Sequence, residues 1–118
     1  MSGYVDGFVL PVPKKNVRKY KALAQACSKI WRKHGALEYR ECIGDDLDHS
    51  FGVAFPRMVK PKRGETIFFS WIVYKSRAQR DRVTAKVMKD PAIQKMVKKM
   101  PFDCTRMACG GFKILVKR

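Results

Sequence analysis

Three carboxylates in this chain stand where carboxylates are costly. Asp6 interrupts the apolar run Tyr4-Val-Asp-Gly-Phe-Val-Leu10, and Glu41 alternates with Leu37, Tyr39 and Ile43 on one side of an extended stretch. Asp103 closes the turn Met100-Pro-Phe-Asp and shortly precedes Arg106. Apolar surroundings disfavour an ionised carboxyl, raise its pKa and suit it to general-base chemistry. Arg106 could hold an anionic substrate, with Tyr39, Trp71 and His34 as walls of the same pocket. The ordinary structural readings are that Asp6 sits near a strand end in water, that Glu41 reaches water from an edge strand, that Glu41 or Asp103 pairs with Arg106 or caps a turn, and that His34 caps a helix. We expect Glu41 and Arg106 to line one polar cavity. No nucleophile–base pair, nucleotide-binding loop or metal cluster stands at a recognised spacing, so neither metal nor cofactor is expected.

A second kind of chemistry is written in the charge. With 26 Lys and Arg against 10 Asp and Glu, the formal net charge is +16. Such a balance favours polyanions. Lys14, Arg18, Lys21, Lys29 and Arg32 fall within an arc of roughly 80° on a helix of 3.6 residues per turn. No acid occurs between Asp6 and Glu38 to neutralise them. They are the candidate polyanion-binding residues, although a solvated helix face explains them equally. The chain shows no helix-turn-helix and no glycine–aromatic signature of an RNA-binding sheet. Any nucleic-acid binding is therefore expected to be weak, indifferent to sequence and steeply salt-dependent.

These residues need elements to position them. The central one is Thr66 to Tyr74, an uncharged β-branched and aromatic run that reads as a strand. Ile67, Phe69, Trp71 and Val73 point one way; Phe68, Ser70, Ile72 and Tyr74 point the other. With both faces largely apolar, the strand belongs in the middle of a sheet. Tyr4 to Leu10 is a first strand stopped by Pro11 and Pro13, and Leu37 to Ile43 is a second. A helix from about Lys15 to His34 carries a stripe of Val17, Tyr20, Ala24, Cys27, Trp31 and His34, flanked by Leu23 and Ile30. Ser76 to Gln79 forms a capping box, and Asp90-Pro91 opens a short further helix. Met107 to Val116 is a last strand whose Gly110-Gly111 pair suggests a bulge or a close approach of another group.

Between the second and central strands, Asp45, Asp46, Asp48 and His49 match neither a calcium loop nor a zinc site. Phe51 to Val59, broken by Pro56, reads as an arm or edge segment. Cys27, Cys42, Cys104 and Cys109 are too scattered for a metal site and read as reduced thiols. At 118 residues the chain has room for one domain, 1–118. With no run of transmembrane length and no signal pattern, it is expected to be soluble and cytoplasmic.

Strand, helix, strand, strand, helix, strand is the ferredoxin-like α+β order, with a four-stranded antiparallel sheet and both helices on one face. The first and third strands are then central. An apolar second sheet face of that size needs cover. Two copies pressed sheet to sheet would supply it, so a homodimer is expected.

The motifs Tyr4-Val-Asp-Gly-Phe-Val, Gly35-Ala-Leu-Glu-Tyr-Arg-Glu-Cys42 and Phe69-Ser-Trp-Ile-Val-Tyr74 together resemble the YbaA-like family of small bacterial proteins. Met88-Lys-Asp-Pro91, Met100-Pro-Phe-Asp103, Arg106-Met107 and Gly110-Gly-Phe112 extend the resemblance over nearly the whole chain. It implies a dimeric α+β barrel and a domain of unknown function. Its wider superfamily holds small monooxygenases, isomerases, decarboxylating enzymes and stress proteins, a range too broad to carry an activity across. Cys104-Thr105 and Ala108-Cys109 stand where the family pattern has Gly-Lys and an aromatic, so a site using those groups would be altered here. The first functional expectation is a dimeric pocket protein for a small molecule, an anion being one option, with an enzymatic role open. The alternative is a polyanion-binding module without sequence specificity.

Overall fold

The computed structural model describes residues 3–48 and 51–118; His49 and Ser50 of the acidic loop lie outside the described residues. The strands are β1 (Tyr4–Pro13), β2 (Glu38–Ile43), β3 (Glu65–Tyr74) and β4 (Ala108–Lys113). The helices are α1 (Val17–Lys33), α2 (Phe55–Val59), α3 (Arg77–Lys89) and α4 (Pro91–Met96). The strands form one antiparallel sheet in the order β2-β3-β1-β4. This is the ferredoxin-like arrangement, with β1 and β3 central as their apolar faces require.

Register divides the side chains of β3 cleanly. Phe68, Ser70, Ile72 and Tyr74 are buried beneath the helices. They share that face with Tyr4, Asp6, Phe8 and Leu10 of β1, and with Tyr39, Glu41 and Ile43 of β2. One core cluster joins Ile72, Tyr74 and Tyr4 to Ile30 of α1, Val83 and Val87 of α3 and Ile93 of α4. A second gathers Leu10, Val12, Tyr20 and Phe68. Phe69, Trp71 and Val73 turn to the other face with Val5, Val9 and Phe112. Phe69 there is 45% exposed and Phe112 60%. Ile67 belongs to that face but is buried, because Leu47 and Phe55 flank it at one end.

Local chemistry sets the boundaries. Ser76 Oγ accepts from the Gln79 amide at 3.1 Å, and Asp90 Oδ1 from the Ala92 amide at 3.0 Å, so both expected caps form. β1 runs on through Pro11 to Pro13 rather than stopping before them. β4 pairs with it only as far as Val9, and beyond that point a proline's missing N–H can face the open side. The first turn of the expected long helix is a separate 3-10 turn, Lys14–Asn16. Within the 51–59 arm, Pro56 falls in the first turn of the short α2. Among the described residues no helix is long and apolar enough to cross a membrane.

The paired glycines do not mark a bulge. Pairing of β1 with β4 is unbroken from Tyr4–Lys113 to Val9–Ala108. Gly111 lies instead beneath the Tyr4 ring, where an added Cβ would come within 2.8 and 2.9 Å of two ring carbons. At Gly110 the nearest atom to such a Cβ is 3.7 Å away, on the Phe112 ring. Tyr4 is core-packed and cannot swing aside, so Gly111→Ala should cost about 1–3 kcal/mol, and Gly110→Ala no more than about 0.5. Urea denaturation of the two variants checks this; equal losses would contradict the close-approach explanation.

Candidate functional site

A cavity of about 450 Å³ lies between the covered sheet face, the inner sides of α1 and α3, and the 100–107 segment. Its wall is chiefly apolar: Phe8, Leu23, Ala24, Ile72, Met100 and Phe102 contribute. Cys104, Cys109, Gly110 and Gly111, all exposed, line it where it meets the β4 edge.

The most polar part of the wall is built on Glu41. Although β2 is an edge strand, its register places Glu41 opposite Ser70 on the helix-covered side. Tyr20 of α1 donates its hydroxyl to Glu41 Oε1 at 2.6 Å, and Tyr39 donates to Oε2 at 3.1 Å. Burial pushes the Glu41 carboxyl above its ordinary pKa, against the hydrogen bonds from Tyr20, Tyr39 and Ser70, which favour the ionised form. Burial likewise raises both tyrosines, and the neighbouring Glu41 charge adds to it, so they keep their protons. Cys27, also in the wall, is pushed up to about 11 by burial and by Glu41. It is an inert thiol at neutral pH.

Asp6 enters the same cavity from β1. Arg80 of α3 meets it, Nη1 lying 3.3 Å from Oδ1. Burial raises the Asp6 pKa while Arg80 and a hydrogen bond from Tyr74 oppose the rise. The guanidinium also stacks 4.9 Å over the Tyr4 ring and donates Nη2 to the Tyr4 hydroxyl at 3.2 Å. The Tyr74 hydroxyl accepts from Trp31 Nε1 at 3.2 Å, and Tyr74 is pushed up to about 12 by burial and the Asp6 charge.

Asp6, Tyr39 and Glu41 therefore come together as their strand positions suggest. The other sequence candidates lie elsewhere. Arg106 does not share the cavity with Glu41: it forks onto Glu65 at 2.8 and 3.0 Å and donates to the Lys60 carbonyl at 3.1 Å. A guanidinium takes the carboxylate that fits its fork, and Glu65 at the start of β3 presents both oxygens. Asp103 caps the 3-10 turn Cys104–Arg106, accepting from the Thr105 amide at 3.0 Å and its hydroxyl at 2.6 Å. Those bonds hold its pKa low, the opposite of a poised base. Trp71 sits on the open face and donates Nε1 to Glu38 at 3.0 Å. His34, capping α1, meets Asp90 Oδ2 at 2.9 Å. That contact, with the Ala92 amide, holds Asp90 down at about 2. Lys14, Arg18, Lys21 and Lys29 are exposed. Arg32 is exposed too, and it also donates to the carbonyls of Ala36 and Leu37, closing the turn after α1.

Tyr20, Ser70, Tyr74 and Arg80 were not singled out by sequence as site residues. Tyr20 reads as ordinary core stripe, and nothing local shows that its hydroxyl will meet Glu41. Arg80 carried a usable signal. It stands three and seven residues before Val83 and Val87, so it lies on the inner stripe of α3 rather than among its solvated charges.

The fold and cavity define a ferredoxin-like α+β domain with a carboxyl-lined pocket beneath its helices. The family model described as "Protein of unknown function (DUF1428)" matches residues 3–104, and the chain belongs to that family. It is 36% identical over 113 residues to the uncharacterized protein YbaA of Escherichia coli (strain K12), covering 96% of this chain and 97% of that one. The YbaA protein of Shigella flexneri matches equally, at 36% identity over the same 113 residues. Among solved structures, a dimeric ferredoxin-like protein from an uncultured marine organism superposes over all of both chains. Its TM-score is 0.58 at 11% identity, a likeness of fold.

The raised Glu41 pKa has a definite consequence for stability. An unfolded glutamate loses its proton near 4.5, whereas folded Glu41 holds it to higher pH. The native state then binds more protons than the unfolded state, and stability falls as pH rises from 4.5 through the native pKa. Glu41→Gln removes that loss and leaves Asp6 untouched. Its stability relative to the parent should therefore rise across the interval. Denaturant melts of both proteins from pH 4 to pH 8 read this directly; a flat difference curve would mean that Glu41 titrates normally.

Proposed function

We propose that this protein is a homodimer that holds a small, largely apolar molecule in the cavity beneath its helices. The observation that carries the reading is Glu41, a buried carboxyl held by two tyrosines on the wall of a cavity of about 450 Å³. A buried carboxyl and an apolar wall facing water each cost free energy in a fold. A pocket that combines them is the usual form of a ligand site, since both costs are relieved on binding. The chemistry such a group offers a bound molecule is proton transfer. Arg106 no longer supports an anionic ligand, because it is occupied by Glu65.

Indole at millimolar concentration is a suitable apolar probe. In amide-detected NMR titration it should shift the resonances of Ala24, Ser70 and Ile72, and Ala24→Phe should abolish the shifts by filling the space. Shifts that survive Ala24→Phe, or no shifts in the parent, would overturn the pocket reading.

The homodimer rests on the open sheet face. Val5, Val9, Phe69, Trp71 and Phe112 make it apolar, and Phe55 of α2 extends it, its ring 6.2 Å from that of Phe69. The marine protein of the same fold is dimeric, which agrees with this arrangement. Sedimentation at micromolar concentration should give twice the chain mass, and Phe69→Lys should give the chain mass alone. A parent protein that sediments as a monomer would remove the dimer from the proposal.

The polyanion reading keeps the exposed Lys14, Arg18, Lys21, Lys29 and Arg32 of the first helical segment. It gains no base-reading element from the fold, and the sheet face that such modules use is the one assigned here to the dimer.

A further inference from the structure

We infer that the cavity selects a ligand carrying a hydrogen-bond donor, a primary amine above all, which sits on the Tyr20–Glu41–Tyr39 cluster with its apolar body against the surrounding rings. This deepens the pocket reading and rests on it. A tyrosine hydroxyl has one proton. Tyr20 and Tyr39 both commit theirs to Glu41, at 2.6 and 3.1 Å. Each phenolic oxygen is left with lone pairs only, and a carboxylate has nothing else. That part of the wall therefore accepts hydrogen bonds and does not give them.

The remaining charges in the lining do not reverse this. Arg80 is the guanidinium of the wall, and it is occupied by Asp6 at 3.3 Å and the Tyr4 hydroxyl at 3.2 Å. Tyr74 gives its proton toward Asp6 and takes one from Trp31. Among the described lining residues two carboxylates thus face one cation, whose Nε is buried 3.1 Å from Asp81 Oδ1 and is not offered to the ligand. An anionic ligand would add a like charge to Glu41. A hydrocarbon would leave the spare lone pairs of Tyr20, Tyr39 and Glu41 without a donor, beyond the hydrogen bonds these oxygens already make. An ammonium satisfies them, and the rings of Tyr20, Tyr39 and Trp31 supply faces for it. The surface of +16 attracts anions, but the pocket within it has the opposite preference.

Four probes with one phenyl body separate these cases: 2-phenylethylamine, 2-phenylethanol, 3-phenylpropionate and propylbenzene, followed by NMR titration of the full chain at pH 7.5. The amine should bind tightest, the alcohol next, and the carboxylate weaker than the amine by about tenfold or more. Amine binding should tighten as pH rises, since it requires the ionised carboxyl. Glu41→Gln should reduce the spread between amine and carboxylate to about threefold or less. Tyr39→Phe, which keeps the ring and removes one acceptor, should act in the same direction should the glutamine variant fold poorly. If the probes bind at the cavity residues without this order, or the order survives both variants, the ligand class is wrong and the pocket stands. If none of the four shifts a cavity residue, both fall.

Discussion

The ten residue pairs that join β1 to β3, from Tyr4 opposite Tyr74 to Pro13 opposite Glu65, are the constraint on which the other features depend. A slip of one residue would exchange the two faces of β1 against β3 and turn Asp6 out of the cavity. With the pairing as it is, Phe68, Ile72, Tyr74, Tyr4 and Leu10 bury against the helices. Ser70 then falls where Glu41 of the edge strand can use it. Tyr4 also reaches the other neighbour, β4, and only a glycine at 111 leaves room for its ring. The central pair therefore organises both edges of the sheet.

The two ends of the cavity hold their charges in different ways. Asp6 is compensated by a cation, Arg80, which is itself braced against the Tyr4 ring. Among the described residues Glu41 has no cation as a hydrogen-bonding partner and is compensated by the neutral donors Tyr20, Tyr39 and Ser70. Hydrogen bonds lower the pKa of a buried carboxyl but do not replace the lost hydration of its charge, so burial prevails and the pKa rises. Elsewhere the carboxylates are ordinary structural partners. Glu65, Asp90 and Asp103 are each held ionised by a hydrogen-bonded side chain: Arg106, His34 and Thr105 respectively. The contrast separates groups that brace the fold from a group free to engage something else.

The fold was legible because it is written in faces and breaks. The uncharged Thr66 to Tyr74 run of β3, the alternation of β2, the α1 stripe and the two caps are local patterns, and each appears as the residues demand. The alternation also placed Asp6, Tyr39 and Glu41, since residues on strands of one sheet inherit a side from register alone. Trp71 was misplaced for the same kind of reason. Both faces of β3 are apolar, and nothing local distinguishes the face that the helices cover from the one left open.

What the chain determined by itself is thus the set of elements, their order and the alternation that sets Asp6 beside Tyr4 and Phe8 and Glu41 beside Tyr39, whichever side the helices then cover. These follow from short-range sterics and hydrophobic periodicity, which neighbouring residues suffice to express. The tertiary structure alone decided the partners. Arg106 pairs with Glu65, 41 residues away, and Tyr20 with Glu41, 21 residues away; Arg80 meets Asp6 across the layers. A side-chain pairing over such separations depends on where helices settle on the sheet, and on which donor geometry arrives first within hydrogen-bond reach. No spacing along the chain encodes that.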